Sequence, residues 1–170
     1  MRTTILALFM MAAGSCFGQN SDFRLSVHAI SHATAKDIGL PAYPGATPFK
    51  DKDKDSDSSA DLGFALNSFQ FNLQVATFVT RDSWLQVLEF YRKPLAKYGE
   101  VLECNHGKPV GSLTTTKTGL TCGDQAAGNG YELRAGRPEQ FRIVGIDNPE
   151  AGQTKFGLVA LVLPKEQDGK

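Results

Sequence analysis

The sequence of 170 residues has only three cysteines, no surplus of charge of either sign and no long apolar run beyond its first eighteen residues. Its 18 basic and 18 acidic side chains form no basic stripe interleaved with aromatics, so nucleic acid is not an expected partner. Nor does any later apolar run approach the roughly 20 residues that a membrane helix needs. We therefore expect a mature chain without a transmembrane segment.

The chain also lacks the short motifs that identify common enzyme classes. It has no Gly-x-Ser-x-Gly sequence, no P-loop and no dinucleotide fingerprint. His28 and His32 are four residues apart, but no acidic residue follows them in a metalloprotease pattern. We interpret them as unrelated histidines, and we expect no catalytic residue, no metal and no cofactor.

The first eighteen residues have the layout of a secretory signal peptide. A basic residue at position 2 precedes a short apolar run at 5–13, and small residues follow. Cys16 and Gly18 stand at the −3 and −1 positions that signal peptidase prefers, which predicts a mature protein that begins at Gln19. Lipid anchoring through Cys16 is the less favoured interpretation, because Ala13 stands where a lipobox normally has leucine. We expect export to the periplasm or the medium.

Two cysteines, Cys104 and Cys122, remain after cleavage. An even pair in an exported chain indicates a disulfide. The segment between them is rich in turn formers and threonine, which favours a hairpin or an irregular loop. Metal ligation with His106 and a reactive Cys–His pair are the rival interpretations, although two Cys and one His fall short of a structural zinc set.

A charged stretch at 50–61 contains a partial calcium-loop pattern. Four aspartates have the spacing of calcium ligands: Asp53, Asp55, Asp57 and Asp61. However, Ser58 stands where the sharp turn needs glycine, and Phe64 stands where a bidentate glutamate is required. We therefore interpret this stretch as a flexible, solvated loop.

Alternation and apolar runs predict a series of strands. These are expected at 23–28, 62–67, 71–80, 101–104, 113–122, 131–135, 141–146 and 155–163. The last of them is apolar at nearly every position, so we expect it in the middle of a covered sheet.

Two helical segments complete the prediction. A helical turn at 33–39 should end at Gly39. The main helix should begin at Ser83, which forms a capping box with Gln86, and should close at Gly99. Pro94 removes a hydrogen bond from its interior, so we expect a kink or an early break near Lys93.

Four short sequences resemble a recurring pattern in uncharacterised bacterial exported proteins of unknown function. They are YPGA at 43–46, TRDS at 80–83, VLEFY at 87–91 and LAKYG at 95–99. The resemblance covers about residues 40–104 and implies an α+β domain with one helix against an antiparallel sheet. It implies no activity and no functional residues. Tyr43 could present a recognition surface, but we favour a role in attaching the N-terminal segment to the sheet.

We expect an α+β fold, with one main helix packed on an antiparallel sheet, as a single domain after the signal peptide. The expected segments are a signal peptide at 1–18, a strand and YPGA turn at 19–49, a flexible loop at 50–61, the core at 62–165 and a disordered tail at 166–170.

The favoured function is a non-catalytic module that binds an envelope protein, a glycan or a small ligand. The alternative is a small secreted hydrolase whose site assembles in three dimensions. An apolar groove lined by aromatics would favour binding, and a histidine grouped with a carboxylate would favour hydrolysis.

Overall fold

The computed structural model describes residues 25–30, 33–50, 59–66, 69–123, 130–146 and 152–163, with backbone alone for 25–30, 59–66 and 69–70. These residues form an antiparallel sheet with two helices, which agrees with the predicted α+β class. The helices are α1 (Ala35–Ile38) and α2 (Trp84–Leu95). The strands are β1 (Leu25–Ile30), β2 (Thr47–Pro48), β3 (Ser59–Leu66), β4 (Phe69–Thr80), β5 (Leu102–Asn105), β6 (Lys108–Pro109), β7 (Tyr131–Arg137), β8 (Gln140–Ile146) and β9 (Thr154–Val162).

The strand order across the sheet is β1-β3-β4-β9-β8-β7-β5-β6, and β2 pairs with β4 beyond the end of β3. The central position predicted for the last strand is confirmed, because β9 lies between β4 and β8. Its burial alternates, with Phe156 and Leu158 buried but Val159 and Leu161 only half-buried. Along β9, therefore, the side chains on one face are buried from Thr154 to Ala160 and those on the other face are covered only in part.

Both helices pack on the same face of the sheet. α1 lies against β4 and β9, and α2 lies against β7 and β8. The main core cluster joins the apolar sides of both helices to the inward side chains of these strands, and its fully buried members include Ile38, Val87, Tyr91, Leu95, Leu133, Val144, Phe156 and Leu158. Each such side chain contributes roughly 1.5–3 kcal/mol by leaving water. This burial holds the short α1 in place although it has barely one turn.

The main helix begins as predicted and ends early. The Gln86 amide donates to Ser83 Oγ at 3.4 Å, and the Ser83 amide donates to Gln86 Oε1 at 2.9 Å, which confirms the capping box. α2 ends at Leu95, one residue after Pro94 and four before Gly99, which agrees with the early break expected near Lys93. Leu95 is completely buried, and this packing offsets the hydrogen bond that the proline removes.

The strand predicted at 113–122 is wrong. The segment forms an irregular loop in which a single bridge joins Thr115 to Thr121. Side-chain bonds hold the loop: the Leu120 amide donates to Thr116 Oγ1 at 3.0 Å, and Thr118 Oγ1 donates to the Gly136 carbonyl of β7 at 2.6 Å. Leu120 packs on Phe141 and so covers part of the second face of the sheet.

Several predictions fall on residues outside the described ranges. The leader at 1–18, residues 51–58 with three of the four aspartates, His32 and the tail at 166–170 are among them. The remaining aspartate, Asp61, lies in β3, which starts at Ser59 and so takes in the last three residues of the stretch predicted as a loop. No helix in the described ranges is long and apolar enough to cross a membrane.

Candidate functional site

A groove of about 760 Å³ opens between α1, the segment that follows α1 and the β2–β4 pair. Its depth comes from small side chains that face the space from separate elements: Ala33, Ala35, Ala42 and Ala76. Because protein interiors are close-packed, larger residues at these positions would fill the space. The alanines therefore leave a concave, mostly apolar surface.

Local interactions set the position of α1 at one side of the groove. The amide and hydroxyl of Thr34 donate to Asp37 Oδ2 at 2.9 and 2.7 Å, which completes a capping box at the start of the helix. Gly39 ends the helix with a positive φ of 82°, a conformation that glycine adopts without strain. The short helix thus has a satisfied hydrogen-bonding group at each end.

Two phenylalanines form the aromatic part of the lining. Phe78 stacks on Phe156 with ring centroids 5.6 Å apart, which fixes its ring against the core. The Phe49 amide donates to the Thr77 carbonyl at 2.9 Å, so the backbone of Phe49 continues the pairing of β2 with β4. The groove has the aromatic, apolar character that we set as the mark of a binding site.

The groove carries one charge among its lining residues. Of the thirteen lining residues that the structure describes, only Lys36 is charged. Its ammonium makes no hydrogen bond or salt bridge with the described part of the chain. The neighbouring Asp37 accepts hydrogen bonds from Thr34, and these bonds lower the pKa of the Asp37 carboxyl. An exposed cation therefore stands at the side of an apolar groove.

The YPGA turn has its aromatic residue in the core. The ring of Tyr43 is buried and makes edge contacts with Phe90 and Phe156 at centroid distances of 5.0 and 5.8 Å. Its hydroxyl donates to Asp82 Oδ2 at 2.8 Å. Burial, with a further contribution from Asp82, raises the pKa of Tyr43 to about 12. Tyr43 thus attaches this turn to the start of α2 through Asp82 and to the sheet through Phe156.

The predicted disulfide residues meet beneath the irregular loop. The sulfur atoms of Cys104 and Cys122 are 2.01 Å apart and their Cα atoms 5.7 Å apart, as a disulfide requires. His106 is exposed at the β5–β6 turn, where its Nδ1 lies 2.5 Å from Asn105 Oδ1. Within the described ranges, no group of three or more His, Cys, Asp or Glu is placed to hold a metal.

A buried carboxylate lies near this disulfide, across the sheet from the helices. Glu132 is almost completely buried and accepts from Arg134 Nη2 at 2.6 Å and from Arg134 Nε at 2.8 Å. Arg134 also donates to the Thr121 carbonyl at 3.4 Å, which connects the ion pair to the loop. Glu132 thus forms an ion pair with Arg134, and Arg134 links that pair to the loop.

The groove has no signature in the sequence. Its lining comes from four separate stretches, at 33–36, 39–42, 48–49 and 76–78, and no spacing in the sequence relates them. The side chain of His28 and the whole of His32 lie outside the described part of the chain. No family model matches the chain, and neither a curated protein nor a solved structure shows significant similarity to it.

Proposed function

We propose that this protein is an exported, non-catalytic module that binds a small apolar ligand in the groove between α1 and the β2–β4 pair. The observation that carries the proposal is the groove itself. Its volume of about 760 Å³ falls within the range of roughly 300–1,000 Å³ typical of small-molecule sites. Alanine, proline and phenylalanine side chains supply most of its surface, so a ligand gains affinity by leaving water.

Two observations support export. The leader has the charge, apolar core and small residues of a signal peptide that is cleaved after Gly18. The two cysteines that remain, Cys104 and Cys122, lie at bonding distance in the fold. A structural disulfide suits the periplasm or the medium, where thiols are oxidised.

The groove can be tested with a neutral fluorescent probe. N-phenyl-1-naphthylamine should bind the protein and brighten, because its fluorescence rises in apolar surroundings. Ala42 is exposed and lines the groove, so Ala42→Trp should fill the space without disturbing the core. We expect this change to weaken probe binding at least about tenfold, which corresponds to about 1.4 kcal/mol.

A matched variant separates filling of the groove from a general effect of tryptophan. Ala96 is exposed at the end of α2 and does not line the groove, so Ala96→Trp should leave probe affinity unchanged. Circular dichroism and thermal melting would show that both variants fold. If the probe does not bind, or if Ala42→Trp binds it as tightly as the unmodified protein does, the groove is not the ligand site.

A further inference from the structure

We infer that the ligand of the groove is an anionic amphiphile, a single apolar chain that ends in a carboxylate or a comparable anion. This inference rests on the function proposed above and adds the chemical class of the ligand. A purely apolar ligand would use the alanine and phenylalanine surface alone. The charge beside that surface indicates that one end of the ligand is negative.

Lys36 is the residue that would select the anion. It lies on α1 and lines the groove, and in the described part of the chain it has neither a hydrogen bond nor a salt bridge. The adjacent Asp37 accepts hydrogen bonds from Thr34, and it is attracted to Lys36 without a salt bridge between them in the described part of the chain. An anionic headgroup at the mouth of the groove can therefore accept a charge-assisted hydrogen bond from the Lys36 ammonium.

Two further lysines lie near Phe49, and both interact with other groups of the protein. Lys155 places its Nζ 4.3 Å from the centroid of the Phe49 ring, a cation–π geometry. Lys50 follows Phe49 directly and is exposed. Lys50 and Lys155 do not line the groove, so Lys36 is the cation that would meet the ligand, and its charge complements an anion and disfavours a cation.

Three amphiphiles with the same chain length test this inference. Dodecanoate, dodecanol and dodecyltrimethylammonium are titrated against the protein loaded with N-phenyl-1-naphthylamine, at pH 8 and below their critical micelle concentrations. We expect dodecanoate to displace the probe at the lowest concentration. Its advantage should shrink as salt is added, because salt screens an exposed ion pair.

Variants of Lys36 test whether its ammonium group causes the preference for the anionic amphiphile. Lys36→Gln should weaken dodecanoate about two- to fivefold, the range of an exposed ion pair, and leave dodecanol unchanged. Lys36→Arg should retain the preference. Lys93 is exposed on α2 and does not line the groove, so Lys93→Gln is the matched control and should change nothing.

The outcomes distinguish this inference from the proposed function. If dodecanol competes as well as dodecanoate and Lys36→Gln has no effect, the groove binds apolar ligands but the anionic class is wrong. Tighter binding of the cationic amphiphile would also overturn it. If the probe binds but no amphiphile displaces it, the inference fails while the groove remains an apolar site. If the probe itself fails to bind, both proposals fall.

Discussion

At the scale of single residues, two tyrosines attach the segment after α1 to the rest of the core. Tyr43 inserts its ring between the helix side and the sheet side of the core and donates its hydroxyl to Asp82. Tyr91 on α2 is fully buried and donates to the Pro41 carbonyl at 3.1 Å. Pro41 lines the groove, so these contacts hold one of its walls in position.

Replacing Tyr43 with phenylalanine should cost about 1 kcal/mol of stability. The ring contacts survive in Tyr43→Phe, but the hydrogen bond to Asp82 is lost, and an intramolecular hydrogen bond contributes about that amount. Urea unfolding at pH 7 measures the difference. Asp82→Asn keeps an acceptor oxygen and should cost less than Tyr43→Phe; an equal or larger loss would show that this bond is not the main contribution.

The same tyrosine predicts the response to alkaline pH. Burial and Asp82 raise the pKa of Tyr43 from 10.0 to about 12, and burial also raises the pKa of Tyr91. Because the folded state favours the neutral phenols, their contribution is complete below pH 10 and is lost as the pH rises towards 12. The free energy of unfolding should therefore fall over this interval, and it should fall less steeply in Tyr43→Phe.

At the scale of elements, the β7–β8 hairpin depends on one glycine. Gly136 has a φ of 134°, and a Cβ there would overlap the Gln140 carbonyl oxygen and lie 2.7 Å from Phe141 Cα. The Gly136 carbonyl also accepts from Thr118 Oγ1 at 2.6 Å, which joins the hairpin to the irregular loop. Backbone atoms surround this position, so they cannot move aside as a flexible side chain would.

We expect Gly136→Ala to destabilise the protein by about 2–4 kcal/mol, the combined scale of backbone strain and overpacking. Gly157 on β9 is the matched control, because a Cβ there would meet nothing within 4 Å and its φ lies outside the strained range. Gly157→Ala should be neutral or should stabilise by up to about 1 kcal/mol. Thermal and urea unfolding of both variants measure the contrast, and similar losses would contradict it.

Local signals identified the starts of both helices because the hydrogen bonds that begin a helix are local. Thr34 and Ser83 start the helices with bonds to residues three positions further on, which a sequence pattern can show. The end of α2 at Leu95, one residue after Pro94, follows the helix-breaking signal of the proline. Gly99, which we expected to close the helix, lies four residues beyond its end.

At the scale of the whole molecule, the disulfide region holds the irregular loop over the second face of the sheet. Cys104 lies on β5, and Cys122 lies at the end of the loop that carries Leu120 onto Phe141. Arg134 donates to the Thr121 carbonyl beside it. The disulfide at Cys122 and the hydrogen bond to Thr121 thus both hold the end of the irregular loop in place.

We expect the exported protein to begin at Gln19 and to contain no free thiol. Its intact mass should equal that of residues 19–170 less two hydrogen atoms, and alkylation after reduction should label two thiols. Replacing both cysteines with serine should cost about 2–5 kcal/mol without preventing folding. Two free thiols in the unreduced exported protein would contradict the disulfide, and a lipid mass on Cys16 would contradict the cleavage site.

The sequence by itself determined what depends on neighbours along the chain. Alternation placed most of the strands, capping residues placed the starts of both helices, and the cysteine count indicated one pair. The sequence left a hairpin, an irregular loop and a strand open for the segment before Cys122, and only the tertiary structure decided for the loop, where Thr116 bonds within the loop and Thr118 donates to the Gly136 carbonyl of β7. The tertiary structure also decided the groove, because alanines and phenylalanines from four separate stretches form one surface only when α1 packs against β4. A cavity is a property of what is left unfilled between packed elements, and no local pattern encodes that space.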